Sequence, residues 1–168
     1  MNSDISLQEP VRRKYNYSGL FSCNFKTKSK SKNIGEAKLA YFRAAESMSL
    51  LSDHKCKLGC IVVKGHKIIS SGHNSSTKTH SIQTKIDTLY FGCDCIGSVH
   101  AEVDALIPLI NQRVDLSQAS IYVYRTACDG SRGMARPCPR CMYVIKNLGI
   151  RKINYSTPDG FAEEVLTL

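Results

Sequence analysis

The sequence predicts an α/β sandwich. Three observations point to it: from Gly35 onward, short apolar runs of strand length alternate with apolar residues at helical spacing; a glycine turn joins the first two strands; and two helix-start motifs fall between later strands. Ala37, Leu39, Ala40, Phe42, Ala44, Ala45 and Met48 give a first helix with one apolar face. Leu58 to Val63 reads as a buried strand, Lys64-Gly65-His66 as a turn and Lys67 to Gly72 as the returning strand of a hairpin, with His66 exposed. Ser75 to Gly97 is rich in Ser, Thr and Lys and reads as a long loop, a kind that usually carries function. Ser98 suits the N-cap of a helix running through Ile107. Ala119 to Thr126 is a third strand. Pro137 opens a further helix through Met142, Val144, Ile145 and Leu148 that stops at Gly149. Arg151 to Ser156 is a fourth strand, Asp159-Gly160 a turn, and Phe161 to Leu168 a short terminal helix or strand. No internal repeat is present.

The chain has 168 residues, 42% of them hydrophobic, enough for one core of ordinary size. No apolar run approaches the ~18 residues of a membrane span, and no apolar block follows the N-terminal charges as in a secretory signal. Eight cysteines are present, and thiolate metal ligands fit a reducing compartment, so a cytoplasmic or nuclear location is expected. Residues 1–34 differ from the rest: seven basic residues against Asp4 and Glu9 give a net +5 of the total +9. Lys alternates with Ser or Thr from Thr27 to Asn33, which reads as a basic, flexible arm before a domain at 35–168. Its Tyr15, Tyr17, Phe21 and Phe25 suit base stacking or packing on the domain, so nucleic acid stays open as a partner beside a plain solubilising tail.

The chemistry concentrates in His100-Ala101-Glu102 and Pro137-Cys138-Pro139-Arg140-Cys141. A lone C-x-x-C also reads as a redox pair, and H-x-E alone is common on helices. Together, each at a helix start, they match the H-x-E…P-C-x-x-C signature of zinc deaminases. His100, Cys138 and Cys141 would hold Zn²⁺ with its fourth position open to water, whose pKa the ion lowers. Glu102 is then the proton carrier. Two helix N-termini at one ion favour thiolate and hydroxide.

These residues resemble the cytidine and deoxycytidylate deaminase family, over about residues 36 to 157. Gly59-Cys60-Ile61-Val62-Val63, Lys67 to Asn74 and Gly149 to Tyr155 carry the resemblance beyond the zinc motifs. It implies a three-layer α/β/α sandwich with a mixed sheet of four or five strands, a homo-oligomer, and hydrolytic deamination of cytosine to uracil. By position, Asn74 contacts the substrate sugar, the Ala101 N–H holds the ring carbonyl, and the Arg136 carbonyl accepts from the departing amine. Some deoxycytidylate deaminases carry a second, structural zinc, for which Cys56, His80, Cys93 and Cys95 are the candidates here, although C-x-C is not the usual spacing. Cys23, Cys60 and Cys128 are read as non-ligands. Ala127 to Arg136 is a ten-residue insertion by comparison with many relatives; Arg125, Arg132 and Arg136 are candidates to bind a phosphate through a guanidinium fork, the alternative being a solvated loop with incidental charge. The expected substrate is a free nucleotide of the deoxycytidylate type. A cytosine in single-stranded DNA or RNA is the alternative, and a catalytically idle zinc-binding scaffold a third, against which the presence of Glu102 speaks.

Overall fold

A computed structural model describes residues 35–91 and 98–167. The basic arm at 1–34, with Cys23, and the Cys93 and Cys95 pair lie outside the described residues. The elements are α1 (Glu36–Leu50), β1 (Lys57–Lys64), β2 (Lys67–His73), α2 (Ser81–Phe91), α3 (Ala101–Asn111), β3 (Ser120–Thr126), β4 (Arg132–Gly133), α4 (Pro139–Asn147), β5 (Lys152–Thr157) and β6 (Gly160–Val165). Strand order is β2-β1-β3-β5-β6, with the two-residue β4 beside β3. β3 and β5 are parallel and the other pairs antiparallel, so the sheet is mixed.

Alternation along the central strands builds the layers. Cys60, Val62, Ile121, Val123, Ile153 and Tyr155 pack with residues of α3 and α4, such as Val103, Leu106, Val144 and Ile145. Ile61, Val63, Tyr122 and Tyr124 point the other way, onto Phe42 and Ala45 of α1. Both faces are covered, which is why β1 reads as an unbroken apolar run. The hairpin turn uses Gly65 at φ 56° and His66 at φ 63°, the left-handed pair a two-residue turn requires. His66 is exposed.

Gly72 sets the depth at which α3 sits. A Cβ there would run into the Ala105 backbone nitrogen and lie 2.8 Å from the Ala101 carbonyl, so the hairpin and the start of α3 meet backbone to backbone.

Three expectations change. Ser75 to Gly97 is not one loop, because Ser81–Phe91 is helical; Ile82 and Ile86 recur at helical spacing among polar neighbours. Ser98 is not the N-cap of α3. Val99 pairs with Ser75 in an isolated bridge (N···O 3.0 and 3.1 Å), which holds the chain extended until His100. Likewise α4 begins at Pro139 rather than Pro137: a residue before proline is driven to extended backbone, and Cys138 has φ −68° and ψ 165°. The terminal segment resolves as strand, β6, antiparallel to β5, and the insertion as a tight hairpin with Gly130 at φ 80°.

Candidate metal centre and active site

His100 and Cys138 are the N-caps of α3 and α4, and neither uses its side chain to cap its helix. Both turn into a shared site instead. His100 Nδ1 lies 3.5 Å from Cys138 Sγ and 3.3 Å from Cys141 Sγ. All three ligand atoms fall within 4.8 Å of one another. A tetrahedral ion with Zn–N near 2.0 Å and Zn–S near 2.3 Å needs donors about 3.5 Å apart, so this set fits zinc by separation and by donor chemistry. Cys138 is also disposed toward thiolate. Cys138 is pulled down to about 4, first by the Cys141 thiol donating to it and then by His100. The same contact and its burial push Cys141 up, and His100 is raised by its bond to Cys138.

Glu102 is 4% exposed. Burial raises its carboxyl above the usual carboxylate range, and the negative charge of Cys138 adds to the shift. It borders a cavity of about 250 Å³ lined by His54, Cys56, Leu58, Asn74, Ser98, Val99, His100, Ala101, Arg136 and Cys138. A buried carboxyl, an open cavity and a three-ligand metal set therefore share one place.

Asn74 lines that cavity with a side chain already employed. Its Oδ1 accepts from the Leu58 N–H (2.8 Å) and the Ser52 hydroxyl (2.7 Å), and its Nδ2 donates to the Cys56 carbonyl (2.7 Å). One Nδ2 hydrogen remains for a ligand. Ala101 opens α3 on the cavity wall, where the first helical N–H groups lack intrahelical partners.

The three arginines separate. Arg136 reaches the cavity, and its guanidinium is held by Glu164 at 2.7 Å and 3.0 Å; Glu164 also accepts from the Tyr155 hydroxyl (2.7 Å). Arg132 bonds the Thr157 carbonyl and lies over the Phe161 ring, 4.7 Å from its centroid. Arg125 donates to Cys56 Sγ at 3.6 Å. Neither Arg125 nor Arg132 lines the cavity. Of the candidates for a second zinc, Cys56 and His80 are described and Cys93 and Cys95 lie outside the described residues, among which His100, Cys138 and Cys141 form the one grouped set of metal-ligating side chains. His80 Nδ1 accepts from the Ile82 N–H at the start of α2 (3.2 Å). Cys60 is buried in β1, and Cys128 is exposed with its thiol on the Lys55 carbonyl.

Sequence reading missed His54, Glu164, Gln83 and Asp87. The Gln83–Asp87 pair was findable, since an i, i+4 polar pair shares one face once α2 is recognised. Nothing in the sequence links Glu164 to Arg136.

The sequence model of the cytidine and deoxycytidylate deaminase zinc-binding region matches residues 36–157. The chain belongs to that family. Its relatives include the deoxycytidylate deaminase of Schizosaccharomyces pombe, 27% identical over 135 residues. That match covers 70% of this chain and 36% of the relative, so the chain spans about a third of the relative's length. Among solved structures, the dCMP deaminase of cyanophage S-TIM5, in complex with dCMP and dUMP, is 27% identical. It covers 74% of this chain and 83% of its own, with a TM-score of 0.52. Cytidine deaminase from Burkholderia pseudomallei shares the fold at 18% identity and a TM-score of 0.53, covering 76% of this chain and 91% of its own. No helix among the described residues is long and apolar enough to cross a membrane.

Proposed function

We propose that the protein hydrolyses the exocyclic amine of cytosine on a free nucleotide, deoxycytidylate, giving the uracil nucleotide and ammonia. The observation that carries this reading is Glu102, a buried carboxyl in the wall of a cavity that also exposes the metal ligands His100 and Cys138. When bound, zinc supplies the Lewis acidity that makes a water molecule a nucleophile near neutral pH. The protein's own residues do the rest. Glu102 takes the proton released as the water oxygen bonds to C4 of the ring. It passes that proton to N3, then carries the proton of the new C4 hydroxyl to the amine, so that the C4–N bond breaks, ammonia leaves and the C4 carbonyl of uracil forms. Its upward shift by burial brings its proton affinity closer to that of the groups it exchanges with. The Ala101 N–H holds the ring carbonyl, the Arg136 carbonyl accepts from the amine, and Asn74 offers its remaining hydrogen to the sugar.

The cavity, about 250 Å³, is below the roughly 300–1,000 Å³ of drug-sized sites. That size suits base and sugar, with the phosphate at the rim. Arg136 is the arginine there, and Glu164 occupies its Nε and one terminal nitrogen, leaving the other for an anion. The names of the yeast and cyanophage relatives support deoxycytidylate. The net charge of +9 favours the second reading, cytosine in a single-stranded polynucleotide. Product analysis with dCMP, CMP, cytidine and a cytosine-containing single strand tests both: dCMP is the expected best substrate, and conversion of the strand alone overturns the first reading.

A further inference from the structure

The segment that reads as a polar loop carries a buried polar chain ending at both metal-ligating helices. Gln83 and Asp87, one turn apart on α2, are 3% and 4% exposed. Gln83 Oε1 accepts from the backbone N–H of His100 at 3.4 Å, and its Nε2 donates to Asp87 Oδ1 at 3.0 Å. The same carboxylate oxygen accepts from Arg140 Nη1 at 3.0 Å. Arg140 stands between the two cysteine ligands in sequence. The chain of bonds therefore starts on the residue that supplies the imidazole and ends on the turn that supplies both thiols. α2 also packs against α4, and its Ile82 against the core beneath the sheet.

We infer that Gln83 and Asp87 are positioning residues for the metal: α2 is a brace that sets the spacing between the N-termini of α3 and α4. The physical case has two parts. Two helix ends that hold one ion repel each other's dipoles when the ion leaves, and a cross-link between them resists that separation. The buried Asp87 accepts from both Gln83 and Arg140, and taking its charge away weakens the tie between α2 and the cysteine turn. Partners lying one bond beyond the ligands typically change metal affinity by roughly 10–100-fold when removed.

The test is metal retention. Wild type, Asp87→Asn and Gln83→Met are purified with zinc, and release to a chromogenic chelator is timed. Melting temperatures are then taken with and without the ion. The expected result is release faster by roughly 10–100-fold in Asp87→Asn, a smaller increase in Gln83→Met, and a reduced gain in melting temperature on adding zinc. A merely structural role would lower the melting temperatures of loaded and metal-free protein equally and leave release unchanged; that result in either variant overturns the inference. If Asp87→Asn does not fold, Gln83→Met carries the same measurement. The inference rests on His100, Cys138 and Cys141 being the ligands, and the control separates the two failures. A wild-type chain without zinc refutes the ligand set, whereas zinc-bound wild type with unchanged variants refutes only the brace.

Discussion

At the scale of single residues, the proposed roles of Glu102 and of the three ligands differ, and substitution separates them. Glu102→Gln keeps the size of the side chain and removes its capacity to carry a proton. It should fold, retain zinc and lose turnover by roughly 10²–10⁴-fold, the usual weight of a general acid–base group. Near-normal kcat in a zinc-loaded Glu102→Gln protein would move the proton transfer to another group. Cys138→Ala and Cys141→Ala should instead lose the ion itself, because two donors no longer close a tetrahedral site. Metal analysis should fall from about one zinc per chain to near none, and full retention in both variants would refute the ligand set. His100, Cys138 and Cys141 could be picked out as a possible zinc set before any fold was known because their chemistry is written in type and spacing, and the fold brings them together. Arg136 was different. Its basic character suggested a phosphate contact, but its pairing with Glu164, 28 positions away, arises only when β6 closes the sheet.

At the scale of elements, the sequence reading was accurate where an apolar run, an apolar face or a turn marks the element. β1 and β3 are unbroken buried runs, Lys64-Gly65-His66 marks the β1–β2 hairpin, and α1 turns one apolar face to the sheet. It failed at α2, whose exposed residues include Ser81, Thr84, Lys85 and Thr88 and whose buried side chains include the polar Gln83 and Asp87. It also misjudged two helix starts, where a bridge to Ser75 and a pre-proline restriction override capping preference. One tie between loops makes a test at this scale. Asp53, after α1, accepts from the Ser76 N–H (2.9 Å) and the Thr77 and Ser75 hydroxyls (2.9 and 3.1 Å). It thereby holds the turn that follows Asn74. The Ser76 bond is the main reason its carboxyl falls from 3.8 to about 2. A folded-state pKa below the unfolded one stabilises above about pH 4 and ceases to do so as pH falls to 2. Asp53→Asn should therefore lower the melting temperature at pH 6 and flatten its decline between pH 4 and 2. An unchanged decline on thermal melts across that range would show that the tie contributes nothing.

At the scale of the whole molecule, charge is divided unevenly, and the division bears on substrate. Residues 1–34 hold a net +5 and the remainder +4 of the total +9. A free nucleotide presents one phosphate, which one or two placed cations satisfy. A polynucleotide presents many, and each neutralised phosphate releases a counterion, so binding falls steeply with salt. A chain that acts on deoxycytidylate has no need of the arm for catalysis. Deleting residues 1–34 should leave kcat/KM for dCMP within a few-fold, on the order of 1 kcal/mol or less in the transition state, with weak salt dependence. Arg136→Ala should cost more with dCMP than with deoxycytidine, because in the proposed reading Arg136 holds the phosphate that only the nucleotide carries. The opposite pattern is equally specific: turnover confined to single strands, steep in salt and abolished with the arm, would make the arm part of the substrate site and the polynucleotide reading the correct one.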